Sequence, residues 1–298
     1  MCGIVGLFLK HPDWQSRLGQ LFTPMLEELE ARGPDSSGAA FYSYSENPTW
    51  KVSLQHHDDN YDWEQAKKHL ETRGLSVTSI KTKSLHCTMR IEGEEATIRR
   101  VLNELPVSLM SIGKRMEIYK AVGTPREVAR RFDFAGMVGS HAIGHTRMAT
   151  ESEVTTEGSH PFSTGGDTCL VHNGSISNYH LWRKRLAREG VHMQTMNDTE
   201  VAAGYLAWRL SQGNNLEGAL QQTLEDIDGT YTLAVSTADE FAVLRDRTAL
   251  KPAVIVETDY FVAMASEYRC LALLPGADKG KTWEPEPSTV YTWKLHAN

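Results

Sequence analysis

Cys2-Gly3-Ile4-Val5-Gly6-Leu7-Phe8-Leu9 is a short apolar run with β-branched residues, ended by the His11-Pro12 breaker, and it reads as a strand. Next, Leu18 to Leu29 carries apolar residues at 18, 21, 22, 25, 26 and 29, the spacing of a helix, which Arg32-Gly33-Pro34-Asp35 stops. Ala39–Tyr44 resumes as a strand. Beyond residue 136, strand character returns at Gly139–His145, Thr168–His172, Thr230–Ser236, Phe241–Arg245, Ala253–Glu257, Tyr260–Ala265 and Ser288–Leu295. Helical spacing intervenes at Tyr179–Glu189, Asp198–Ser211 and Asn215–Ile227. Many short strands with a few amphipathic helices predict an α+β fold of stacked antiparallel sheets covered by helices.

Residues 51–135 interrupt this core. Their order is strand (Lys51–His56), helix (Trp63–Thr72), strand (Leu75–Ile80), strand (Leu85–Ile91), helix (Glu94–Leu105) and strand (Val107–Ile112), the β-α-β-β-α-β pattern of a ferredoxin-like unit. A further strand, Met116–Val122, and a helix opened by the capping box Thr124-x-x-Glu127 follow it. The segment holds 15 Lys+Arg against 12 Asp+Glu, net +3, which leaves −10 on the remainder of a chain whose total is −7. A docking module on an acidic body and a merely decorative insertion both fit that division.

Composition sets outer limits. The 298 residues are 40% hydrophobic and 23% charged, an ordinary globular mixture. A formal charge of −7 argues against nucleic acid as the main partner. No apolar run approaches the roughly 18 residues of a membrane span, and no basic region precedes the first apolar stretch as in a signal peptide. Cys2, Cys87, Cys169 and Cys270 are scattered, with no Cys-x-x-Cys pair, so the expectation is a reduced, cytoplasmic protein.

Cys2 stands out among them. Removal of Met1 would leave one residue with a thiol nucleophile and a free α-amine, whose pKa of about 7.7–8.0 makes it a usable base at neutral pH. Read alone, a cysteine at position 2 fits a small buried residue equally well.

Further motifs accompany it: Arg32-Gly33-Pro34-Asp35, Gly144-His145-Thr146-Arg147-Met148-Ala149-Thr150, His160-Pro161-Phe162, His172-Asn173-Gly174 and Asp198-Thr199-Glu200. With Cys2-Gly3-Ile4-Val5-Gly6 ahead of them, they resemble the class II glutamine amidotransferases, N-terminal-nucleophile hydrolases, in that family's order across nearly the whole chain. Only 51–135 is unmatched. The resemblance implies a four-layer αββα sandwich with Cys2 as nucleophile. It also implies an oxyanion hole from the Asn173 side chain and the Gly174 amide, a carboxylate clamp at Arg147 and an ammonium acceptor at Asp198. It implies further that Thr150 and Met148 line the pocket by backbone contacts, and that Arg32, similar to the family arginine near the nucleophile, belongs with the substrate-binding residues. Where several relatives carry a histidine or serine region after the threonine, this chain has Glu151.

Taken singly, these residues have plainer readings. Asn-Gly favours a tight turn, Asp198 suits a helix N-cap, Arg147 suits a surface ion pair, and Gly33-Pro34 suits a helix stop. His141 and His145 are four apart, but on a strand that spacing separates side chains by roughly 13 Å, so no metal site is expected. His56-His57-Asp58-Asp59 is expected in a solvated loop, and Arg183-Lys184-Arg185 with Arg188 on a cationic helix face.

The resemblance implies hydrolysis of glutamine to glutamate and ammonia through a thioester on Cys2, with no cofactor on this chain. The family motifs run to about Glu267, which leaves no room for the synthase that uses the ammonia, so a partner subunit is expected. The chain looks like the small amidotransferase subunit of glutamate-synthase-like systems such as N-methylglutamate synthase, which implies flavin (FMN) and iron–sulfur centres on partner subunits. A free-standing γ-glutamyl amidohydrolase and a non-catalytic glutamine-sensing subunit are the alternatives.

Overall fold

In the computed structural model, which describes residues 2–44, 47–149 and 153–295, the opening apolar run is β1 (Gly3–Leu9). The chain continues through α1 (Leu18–Glu27), β2 (Ser36–Tyr42), β3 (Trp50–Gln55), α2 (Trp63–Thr72), β4 (Ser76–Lys83), β5 (His86–Glu92), α3 (Glu95–Leu102) and β6 (Ser108–Gly113). Next come β7 (Met116–Val122), α4 (Pro125–Arg131), β8 (His141–Arg147), β9 (Phe162–Gly165), β10 (Thr168–Ile176), α5 (Tyr179–Arg188), α6 (Asp198–Ser211) and α7 (Leu216–Asp226). The last elements are β11 (Gly229–Ser236), β12 (Glu240–Arg245), β13 (Val254–Glu257), β14 (Phe261–Ala265), α8 (Tyr268–Leu271), β15 (Lys281–Trp283) and β16 (Val290–Lys294).

Two antiparallel sheets build the body: one of order β15-β13-β14-β1-β8-β2-β7, the other β16-β12-β11-β10-β9. Strand alternation sorts their side chains into three cores. Ile4 and Phe8 of β1 join Ile143 of β8, Val171 of β10 and Phe241 of β12 between the sheets. Val5, Leu7 and Leu9 point the other way, onto Leu18, Phe22, Met25 and Leu26 of α1. On the far side, Leu170, Leu233 and Leu244 meet Trp182, Val201, Tyr205 and Leu220 of α5–α7. The result is the expected helix–sheet–sheet–helix layering. Both faces of β1 are covered, which is why its sequence is apolar without a polar alternate.

A third antiparallel sheet, β4-β5-β3-β6, lies within residues 50–113. Val52, Leu54, Met89 and Ile91 on one face pack under α2 and α3 through Leu70, Ile98 and Val101. Its other face rests on the body: the Ile118 amide donates to Ser53 Oγ at 3.3 Å, and the His86 ring meets Phe132 edge-on at 4.7 Å. The expected 51–135 unit is therefore longer than the segment with its own sheet. Met116–Val122 pairs residue by residue with β2 at the edge of the seven-stranded sheet, and α4 contributes Val128 and Ala129 to the core beneath it. The capping box of α4 forms: Thr124 N donates to Glu127 Oε2 at 2.9 Å and Glu127 N to Thr124 Oγ1 at 3.3 Å.

Candidate active site

β1, β8 and β10 deliver the central side chains by parity. Cys2 lies in phase with Ile4, Arg147 with Ile143, and Asn173 with Val171, so all three belong to the inter-sheet side of their strands. They converge at one end of the sandwich. A cavity of about 630 Å³ opens there, lined by Cys2, Arg147, Met148, Gly174 and Asp198 together with the segments around Glu153–His160 and Thr195–Asn197.

Cys2 is half-buried, and its Sγ lies 4.0 Å from the Met148 carbonyl oxygen. Behind it, Arg32 Nε donates to the Cys2 carbonyl at 3.1 Å and Nη1 to Glu267 Oε1 at 2.8 Å. Those bonds, with Arg269 Nε 2.6 Å from the other oxygen, hold the Glu267 carboxyl below its ordinary range. Arg32 thus steadies the Cys2 backbone from behind and is not among the residues that line the cavity. The Arg32–Asp35 segment does more than stop a helix. Its Gly33 passes so close to β8 that a Cβ would lie 2.4 Å from the Thr146 carbonyl carbon. Asp35 N donates to Arg147 O at 3.1 Å, and Asp35 Oδ2 accepts from Ala149 N at 2.8 Å, so this loop fixes the end of β8.

Arg147 closes β8, is buried to 7% exposure and donates from Nη1 to the Glu153 carbonyl at 3.3 Å. At that burial it is not a surface residue. Met148 is 38% exposed at the cavity mouth. Thr150 and its neighbour Glu151 lie outside the described residues.

Asn173 and Gly174 sit within β10, paired with Thr232 and Tyr231 of β11, not in the turn that Asn-Gly favours. Gly174 has φ +141°, and a Cβ there would stand 1.9 Å from Thr230 O, so glycine is required by the strand itself. The Asn173 amide nitrogen is buried with no hydrogen-bond acceptor among the described residues. A buried, unspent N–H₂ donor calls for an explanation. Asp198 is the first residue of α6 but not its cap: Asn197 Oδ1 accepts from Thr199 N at 2.9 Å. Asp198 is thereby left to reach β10, where Oδ2 accepts from Ile176 N at 2.9 Å.

Three motif histidines form a ladder beside this cavity that their spacing in the chain does not foretell. His145 and His160 stack at 3.9 Å, a His145 ring nitrogen lies 3.1 Å from the His172 carbonyl, and Thr199 Oγ1 lies 2.9 Å from His172 Nδ1 and 3.3 Å from His160 Nε2. Burial pushes His145 down to about 3 and lowers His160 and His172, the latter against the opposing pull of Asp198, so all three are neutral at pH 7. His141 and His145 do lie on a strand; His141 Nε2 is 2.9 Å from the Thr237 carbonyl. Among the described residues no group of three or more His, Cys, Asp or Glu is placed to hold a metal ion. Of the expected cationic helix face, Lys184, Arg185 and Arg188 are exposed, while Arg183 turns inward to bond to Thr195 O and stands 3.8 Å from Glu200. No helix among the described residues is long and apolar enough to cross a membrane.

The cavity therefore offers a thiol, a guanidinium and a carboxylate, with the unspent Asn173 amide buried in β10 next to the lining residues His172 and Gly174. Comparison with known proteins fits that inventory. Residues 145–273 match the glutamine amidotransferase domain. The chain is 48% identical over 296 residues to the glutamine amidotransferase-like protein GlxB of Rhizobium meliloti, covering 98% of each. It is 33% identical over 309 residues to a putative glutamine amidotransferase of Methanothermobacter thermautotrophicus, covering 99% of this chain and all of that one. In fold it resembles the glutamine phosphoribosylpyrophosphate amidotransferase of B. subtilis, with a TM-score of 0.62 at 18% identity over the whole of this chain and 50% of that one. The chain belongs to the class II glutamine amidotransferases.

Proposed function

We propose that the chain hydrolyses glutamine to glutamate and ammonia on Cys2 and supplies the ammonia to a separate synthase subunit. The observation that carries this reading is the buried, acceptor-free Asn173 amide on the same inter-sheet side as the Cys2 thiol. A tetrahedral oxyanion is the group such a preorganised donor suits, with the Gly174 N–H beside it. Arg147 takes the α-carboxylate through its guanidinium fork, and Asp198 takes the α-ammonium.

The cycle balances within the chain. Once Met1 is removed, the Cys2 α-amine, through a water, accepts the thiol proton as Sγ attacks the amide carbon. Collapse of the oxyanion breaks the C–N bond, and the same proton leaves with the nitrogen as ammonia. Water then adds to the γ-glutamyl thioester, giving its proton to the amine and releasing glutamate and the thiol. The synthase is of the glutamate-synthase or N-methylglutamate-synthase type, with FMN and iron–sulfur centres on its own subunits.

Ammonia release by Cys2→Ala tests the first half: the expected result is none, and undiminished release overturns it. Co-purification tests the second. Recovery of a flavoprotein subunit with the chain supports the synthase reading, whereas full γ-glutamyl amidohydrolase activity from the isolated chain, with no such subunit, favours a free-standing enzyme.

A further inference from the structure

Two oppositely charged side chains are buried behind the cavity without lining it. Lys120 lies on β7 in phase with Met116 and Ile118, on the inter-sheet side of an otherwise apolar alternation. Its ammonium donates to the carbonyls of Glu157 at 3.0 Å, Ser159 at 2.8 Å and Pro161 at 3.3 Å, which uses all three of its protons, and it lies over the Phe162 ring at 4.2 Å. These carbonyls bracket Gly158 and His160, which form one wall of the glutamine cavity. Glu200, on α6, accepts from the amides of Gln194 and Thr195, each at 2.7 Å, and from Thr195 Oγ1 at 2.8 Å. Those residues lead directly into the Thr195–Asp198 wall. A cation thus gathers the carbonyls of one wall while an anion gathers the amides of the other. Both border a second, smaller cavity of about 90 Å³, closed on its far side by Arg99, Asn103 and Met110 of the third-sheet unit.

We propose that Lys120 and Glu200 are positioning residues that set the affinity for glutamine by pinning these two walls; the inference rests on glutamine being the substrate. Neither residue reaches Cys2 or the oxyanion donors, so wall placement, not bond making, is what they control. Charge-assisted hydrogen bonds of this kind are roughly twice as strong as neutral ones.

The test is saturation of Cys2 alkylation by the glutamine analogue 6-diazo-5-oxo-L-norleucine, followed by intact mass, with iodoacetamide as a probe that needs no glutamine site. In Lys120→Met, which frees all three carbonyls, the half-saturating concentration rises by about tenfold or more, and in Glu200→Gln by about threefold. The limiting rate at saturation and the iodoacetamide rate stay within about twofold of the parent in both. A merely structural role would not separate these readouts. If Lys120→Met does not fold, Glu200→Gln, which keeps its shape and one acceptor oxygen, carries the same test. A half-saturating concentration unchanged in the folded variants overturns the proposal, as does a fall in limiting rate alone. If the parent Cys2 reacts with iodoacetamide but not saturably with the analogue, the glutamine reading itself fails, and this proposal with it.

Discussion

Lowering the pH from 7 to 5 is expected to remove several kcal/mol of folding stability, because buried histidines are held neutral. Burial pushes His86, His141 and His145 each to about 3, and it lowers His160 and His172 as well. The folded pKa values lie below the unfolded value, so the stability is fully present above about pH 6.5 and is lost as pH falls toward the folded values. At pH 5 an unfolded histidine with a pKa of about 6.5 is almost fully protonated while its folded counterpart is not, a difference of about 2 kcal/mol for each group. For His86, His141 and His145 together that is about 6 kcal/mol, comparable with the whole stability of an ordinary domain. Urea titrations at pH 7, 6 and 5, followed by the fluorescence of the seven tryptophans, measure it. His86→Phe is the internal control. Both ring nitrogens of His86 are buried without a partner among the described residues, between Tyr119 and Phe132. The substitution fills the same aromatic cage, removes one titrating group and reduces the acid loss by about 2 kcal/mol. Parent stability at pH 5 within about 1 kcal/mol of its pH 7 value would show that the buried histidines do not govern the acid response.

Gly174→Ala is expected to destabilise by about 3 kcal/mol or more in the same urea assay, since a Cβ 1.9 Å from Thr230 O must push β10 off β11 and φ +141° is a region L side chains rarely adopt. Asn173→Ala, which removes the buried donor but no bonded partner, is expected to lower kcat by about 10²–10³-fold with KM little changed. Steady-state ammonia release measures it, and a KM effect alone would show that Asn173 serves binding.

Much of this was legible in the chain because it is local. Helix Trp63–Thr72, strand Met116–Val122 and helix Asp198–Ser211 have the bounds that their periodicity predicts, and the Thr124 capping box closes as its spacing requires. The motif residues Cys2, Arg147, Gly174 and Asp198 line one cavity, and Asn173, on the inter-sheet side of β10, adjoins its lining neighbours His172 and Gly174. What escaped depends on long-range pairing. Asn-Gly carries a turn propensity that the β11 partner overrides, and the choice of Asn197 over Asp198 as cap is decided by the Ile176 amide, 22 residues away in sequence. That Met116–Val122 joins the body follows from pairing with β2, across the whole third-sheet unit. The short β9 and β15 have too few residues to show a period. One signal was available and unread: a lysine in phase with Met116 and Ile118 is a charge on a core face.

The proposed function stands or falls with Cys2 as an N-terminal nucleophile in a glutamine site. Intact and peptide mass spectrometry of the chain after incubation with 6-diazo-5-oxo-L-norleucine, with and without excess glutamine, tests it most directly. The predicted result is a single adduct on Cys2, on a chain that lacks Met1, suppressed by glutamine. An adduct on Cys87, Cys169 or Cys270, or labelling of Cys2 that glutamine does not slow, would contradict it.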